Sequence, residues 1–189
     1  YKKMALAINV DWGEEYLPGM LKIFKANNIK ATFFITGRFA TKFSEIVKTI
    51  ALDGHEIGNH GYSHPHPDQI SKKENQEEIK KTEQAIFEAS GVKTTLFAPP
   101  YGEHKPHVVE SAEGIGYQTV LWTIDTVDWD KSKQPGHIYQ KVITNAQNGA
   151  IVLMHPTDRT IVSLNDVITC LQKEGYELTT ISEILPKKQ

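Results

Sequence analysis

The chain has 189 residues, 39% hydrophobic and 23% charged, with a formal net charge of −2. That is enough for one folded domain, and short of the roughly 250 residues of a full eightfold α/β barrel. Near-balanced charge argues against a general nucleic-acid binder, and no stretch reaches the roughly eighteen apolar residues of a membrane span. The single cysteine, Cys170, excludes an intramolecular disulfide and lies in an apolar helical run, where a buried structural thiol is expected.

In chain order, strand-like runs alternate with amphipathic helical ones. A strand is expected at Met4–Val10, a helix at Tyr16–Asn27, a strand at Thr32–Ile35 and a helix at Thr41–Leu52. There follow a strand at Glu56–Gly58, a long helix at Lys72–Ser90, a strand at Leu96–Ala98 and a helix at His107–Gly114. The last units are the strand Gln118–Trp122, the helix Pro135–Ala146, the strand Ala150–Met154, the helix Ser163–Glu174 and the strand Glu177–Thr179. Such alternation predicts a mostly parallel sheet with right-handed crossovers, and seven units of this size predict a compact, incomplete barrel. No repeat, low-complexity linker or composition shift divides the chain, so residues 1–189 are read as a single domain. No signal-like segment precedes the first strand. An extracellular or wall-associated location would therefore need a signal or anchor outside this sequence.

In such folds the functional groups gather where strands end and loops begin. Asn9 and Asp11 close the first strand, His60 and His64 follow the third, and Pro99, Pro100 and Tyr101 follow the fourth. Asp125 and Asp128 follow the fifth, and His155 the sixth. The segment Asn59-His60-Gly61-Tyr62-Ser63-His64-Pro65 carries two imidazoles four residues apart, a spacing that lets both reach one divalent metal; a histidine-rich surface loop is the alternative. His66, just beyond, is read as a bystander. His155, in Leu153-Met154-His155-Pro156, suits a general acid, since imidazole titrates near neutrality, and a carboxylate such as Asp128 would orient it.

The ordered motifs then become specific. Asn9-Val10-Asp11-Trp12-Gly13, Lys30–Gly37, Gly54–Pro65, Phe97–Gly102, Asp125–Trp129 and Leu153–Pro156 together resemble the polysaccharide deacetylase family, the NodB homology domain or carbohydrate esterase family 4. The similarity runs from about residue 4 to 183 and is greatest to bacillus-type members, including sporulation-associated ones. It implies an α/β fold, a distorted (β/α)7-type barrel. It also implies a metal-dependent hydrolase that removes N-acetyl groups from peptidoglycan or a chitin-like N-acetylglucosamine polymer. The implied cofactor is a divalent metal, usually zinc, with cobalt or nickel as substitutes, held by Asp11, His60 and His64. His155 would be the general acid, tuned by Asp128. Pro100 and Tyr101 would sit at the substrate, the Tyr101 backbone N–H helping to hold an oxyanion, while Trp129 and Leu153 would wall the acetyl pocket.

The sequence departs from the family at its first and third motifs. The family carries an Asp-Asp pair before the glycine, a base followed by a metal ligand, where this chain has one carboxylate. Aligned on Gly13, Asp11 is the base and Trp12 stands in the ligand position. Aligned from the strand, Asn9 takes the base position and Asp11 is left as ligand. Side chains alternate along a strand, so Met4, Leu6, Ile8 and Val10 share one face and Ala5, Ala7, Asn9 and Asp11 the other, which favours Asn9 in the base position. The family's arginine that orients the base is Ala98 here, so base and anchor are expected to have been lost together. The expectation is a deacetylase of low turnover, with a weakly active or inactive glycan-binding domain as the alternative.

Overall fold

A computed structural model describes residues 2–187 of the chain. The strands are β1 (Lys2–Val10), β2 (Thr32–Ile35), β3 (Glu56–Asn59), β4 (Leu96–Phe97), β5 (Gln118–Thr119), β6 (Ile124–Asp125), β7 (Ile151–Met154) and β8 (Tyr176–Thr179). The helices are α1 (Leu17–Ala26), α2 (Gly37–Lys42), α3 (Ser44–Leu52), α4 (Lys72–Ser90), α5 (Pro106–Glu113), α6 (Pro135–Asn145), α7 (Asp158–Lys173) and α8 (Ile181–Ile184). The sheet runs β5-β4-β3-β2-β1-β7-β6, with β8 also paired to β1, and every pairing is parallel. It curls into an incomplete barrel wrapped by helices, as the strand–helix alternation predicts.

β1 organises the barrel because it is long enough to pair with three strands. Its lower half meets β8 (Lys2 with Tyr176), its middle meets β7 (Ala5 with Ile151), and its end meets β2 (Asn9 with Phe34). The alternation read from sequence is realised. Met4, Leu6, Ile8 and Val10 pack outward with Leu17, Met20 and Leu164 of the surrounding helices. Ala5 and Ala7 point into a narrow interior shared with Phe34, Leu96, Ala98, Val120, Ile151 and Ile181. Small residues are needed there because a closing parallel sheet leaves room for little more.

Several expectations are corrected. Among the described residues eight strands form rather than seven. The expected strand Gln118–Trp122 stops at Thr119, and Ile124–Asp125 pairs separately with β7 because Thr123 turns the chain, giving both its N–H and its hydroxyl to the Ile151 carbonyl. The expected helix Thr41–Leu52 is two helices, since Phe43 (φ −123°, ψ 48°) leaves the helical region between them. Cys170 is only half-buried, on the α7 face toward Tyr139 of α6. Among the described residues, no helix is long and apolar enough to cross a membrane.

Candidate active site

The strand ends open on a cleft of about 450 Å³ lined by Asn9, Asp11, Trp12, His60, His64, Tyr101, Gly102, Trp122, Asp125, Trp129, Leu153 and His155. Nearly all the residues singled out from sequence thus meet on one rim. Pro100 sits just behind it in a 3₁₀ turn, and Asp128 lies buried beneath His155.

The best-ordered part is the pair His155–Asp128. One Asp128 oxygen accepts from the His155 ring Nδ1–H at 2.8 Å. The other accepts from the His155 backbone N–H and the Thr160 hydroxyl, each at 2.7 Å. With Nδ1–H committed to the carboxylate, the second ring nitrogen of His155 is the one free to exchange a proton in the cleft. The sequence offered both residues but not Thr160, which joins them from the first turn of α7, whose N-terminus is capped by the Thr157 hydroxyl.

His60 is buried, its Nδ1–H donating to the Ala98 carbonyl at 2.7 Å, which leaves Nε2 with the lone pair. Burial, reinforced by the neighbouring His64 imidazole, which would repel a second positive charge, pushes its pKa down to about 3. His64 lies edge-on to it, with ring centroids 4.8 Å apart, on a left-handed backbone (φ 56°), and burial lowers its pKa too. Two neutral imidazoles side by side are a good start for a metal site.

The third donor is missing. The Asp11 carboxylate accepts from the Thr36 hydroxyl at 2.8 Å and from Arg38 Nε at 2.7 Å, with a second contact from the Arg38 guanidinium. Burial alone would raise its pKa, but the Arg38 and Thr36 hydrogen bonds outweigh it and hold the carboxyl below its ordinary value. Among the described residues, no group of three or more His, Cys, Asp or Glu side chains is arranged to hold a metal ion. The expected set of Asp11, His60 and His64 therefore does not fit one, because the carboxylate is held by an arginine. Ala98 stands where the family's arginine was expected, and Arg38, at the start of α2, pairs with Asp11 from another loop.

Trp12 and the glycine after it explain the local geometry. Gly13 has φ +89°, and a Cβ there would stand 2.4 Å from the Pro156 carbonyl oxygen, so this turn is pressed against the end of β7. The contact carries the Trp12 ring over His155, stacked at 5.7 Å between centroids and 8° between planes. On the opposite wall, Tyr101 adopts φ 60° and its ring stacks on His66 (3.9 Å, 9°), while the His66 imidazole bonds Glu103 at 2.6 Å. His66, read as a bystander, is thus a buttress of the Tyr101 wall. Trp122 also lines the cleft, packed where a Cβ on Gly102 would stand 2.3 Å from its ring. Neither Arg38 nor His66 carries a local sequence signal, since each partner lies more than twenty residues away.

A parallel, helix-wrapped sheet with two histidines after β3 and a His–Asp pair from the loops after β6 and β7 defines a deacetylase-type barrel. The family model described as polysaccharide deacetylase matches residues 1–120, more than half of the chain, and this protein belongs to that family. Among individual relatives, the uncharacterized protein YlxY of Bacillus subtilis is 42% identical over 96% of this chain and 57% of its own length. The peptidoglycan-N-acetylglucosamine deacetylase PgdA of Listeria monocytogenes is 37% identical over 99% of this chain and 40% of its own length. This chain therefore spans about half the length of these relatives. A wild-type structure of BA3943, described as a CE4 family pseudoenzyme from Bacillus anthracis, superposes with a TM-score of 0.95 at 40% identity, covering 100% of this chain and 66% of that one. A mutant of BA3943 described as having restored enzymatic activity superposes with the same TM-score, 0.95, at 39% identity.

Proposed function

We propose that this domain binds N-acetylated cell-wall glycan of the peptidoglycan type in the cleft, and that hydrolysis of the N-acetyl amide is weak or lost. The observation that carries this reading is the first motif. The close fit of Gly13 against Pro156 favours the alignment on that glycine, which leaves Asp11 in the base position and Trp12 where the metal's carboxylate would stand. Asn9 then lies two residues before the base position rather than in it.

The remaining roles follow from chemistry. His155, its tautomer held by Asp128, is placed to give a proton to a departing amine. The Tyr101 backbone N–H is the donor offered to an oxyanion, with Pro100 setting the turn, while Trp129 and Leu153 wall the acetyl methyl. His60 and His64 supply two of the nitrogen donors that zinc, cobalt or nickel would need. Residues 1–189 are read as one such domain, supported by the single continuous sheet. Action at the cell wall is supported by the peptidoglycan-modifying relative and would require export by a segment outside this sequence.

A second reading, a slow deacetylase, is favoured by the intact His155–Asp128 pair and the retained Asp11 carboxylate. The assay that separates the two is acetate release from N-acetylglucosamine oligomers and from peptidoglycan, with zinc, cobalt or nickel added. Bound oligomer with no acetate at high protein concentration is the expected result. Sustained multiple turnover by the unaltered protein would overturn the binding-only reading.

A further inference from the structure

We propose that Trp12 is a sugar-stacking platform, so that the residue replacing the metal's carboxylate makes this a glycan cleft that works without a metal ion. This rests on the glycan-binding reading above and assigns it a specific residue and mode.

Three observations converge on that residue. First, Trp12 is 44% exposed although it is large and apolar, and its ring is held in one orientation by the parallel stack on His155. An exposed aromatic already fixed in place loses little freedom when a ligand covers it. Secondly, it has company. Tyr101 is 56% and Trp129 55% exposed, and both line the same cleft; among the described Phe, Tyr and Trp residues the other ring exposed to this degree is Phe87, which is not part of that lining. A cluster of bare rings beside polar groups marks a ligand groove, and the apolar C–H faces of a pyranose with its hydroxyls at the edge fit such a groove.

Thirdly, the floor holds a polar group without a partner. Asn9 is only 7% exposed, and its side-chain oxygen has no hydrogen-bond partner among the described residues. A buried acceptor left unpaired destabilises the empty site, and a ligand N–H would satisfy it. A half-turn of the amide presents its NH₂ instead, so Asn9 matches either the N–H or the C=O of an acetamido group. Stacking by Trp12 and pairing by Asn9 together select an N-acetylhexosamine. The donor set points the same way, because among the described residues His60 and His64 find no third ligand while Asp11 is held by Arg38 and Thr36.

The test is calorimetric titration of the protein with N-acetylglucosamine tetramer and with its fully de-N-acetylated counterpart, in EDTA and again with added zinc. The unaltered protein should bind the acetylated tetramer equally well in both buffers and at least tenfold more tightly than the free amine. Trp12→Ala should weaken that binding tenfold or more, Trp12→Phe should keep most of it, and thermal melts should show both variants folded. Trp12→Asp should also lose glycan affinity while gaining cobalt, read by its visible absorption and independently of activity. Binding lost in EDTA, or Trp12→Ala binding as the unaltered protein does, would overturn the proposal and leave the broader glycan reading standing. Failure of the unaltered protein to bind the acetylated tetramer in either buffer would overturn both.

Discussion

A single carboxylate, Asp128, holds the acid side of the cleft together. It is fully buried and receives three hydrogen bonds, two of them from His155. Removing it leaves those donors without an acceptor in a place that water does not reach. Asp128→Leu is therefore expected to destabilise the fold by at least about 2 kcal/mol and to free the His155 ring, as measured by urea denaturation and by the histidine NMR signals. An unchanged denaturation midpoint would show that this network contributes nothing to stability. Asp11 shows the other side of residue-scale logic. Its carboxylate is satisfied by Arg38 and Thr36, and the same Thr36 hydroxyl accepts from the Phe39 N–H to cap α2.

Helix α4 spans nineteen residues with few buried side chains, so its ends matter more than its apolar face. Its start is a reciprocal capping box, the Ser71 hydroxyl accepting from the Glu74 N–H while the Glu74 carboxylate accepts from the Ser71 N–H. The Ser-x-x-Glu pattern is legible in the sequence, and the predicted boundary Lys72–Ser90 matches the helix residue for residue. Ser71→Ala is expected to cost about 1 kcal/mol in denaturant unfolding while leaving glycan binding unchanged. A loss of binding instead would mean that α4 transmits its position to the cleft, for Glu78 on the same helix accepts from the backbone N–H groups of Tyr62 and Ser63 in the histidine loop.

At the scale of the whole molecule, stability should depend on acidity through a histidine outside the cleft. His55 is buried between Phe24 and Phe33, and its Nδ1 accepts the Ala31 N–H at 3.0 Å, so it must stay neutral to fit. Burial, then the nearby charge of Lys30, lowers its pKa from 6.5 to about 4. The unfolded chain takes up a proton at this position between those values while the folded chain does not. The stability His55 contributes is thus full above pH 6.5 and is lost as the pH falls toward 4. Denaturation midpoints across that range should fall more steeply for the unaltered protein than for His55→Gln, and parallel curves would place the acid sensitivity elsewhere.

The barrel and the contents of its rim were legible because both follow from short-range rules. Period-two alternation in Met4–Val10 assigns each side chain of β1 to a face, and polar residues at strand ends must converge once parallel strands assemble. The motif order was sufficient to expect the family, and the family model bears it out. The two-residue strand β6 and the break at Phe43 were not legible, because segments this short carry no periodicity.

What only the tertiary structure decided is how the site is wired. Arg38 reaches Asp11 across 27 residues, and His66 braces Tyr101 and Glu103 across 35 and 37. Neither pairing has a sequence period, since each depends on which loops the closed sheet brings together. The sequence by itself marked Asn9 and Ala98 as altered family positions and left the register at Trp12 open. The packing of Gly13 on Pro156 decided that Trp12 lies flat over His155, because a left-handed glycine in that close contact leaves the preceding side chain little other room.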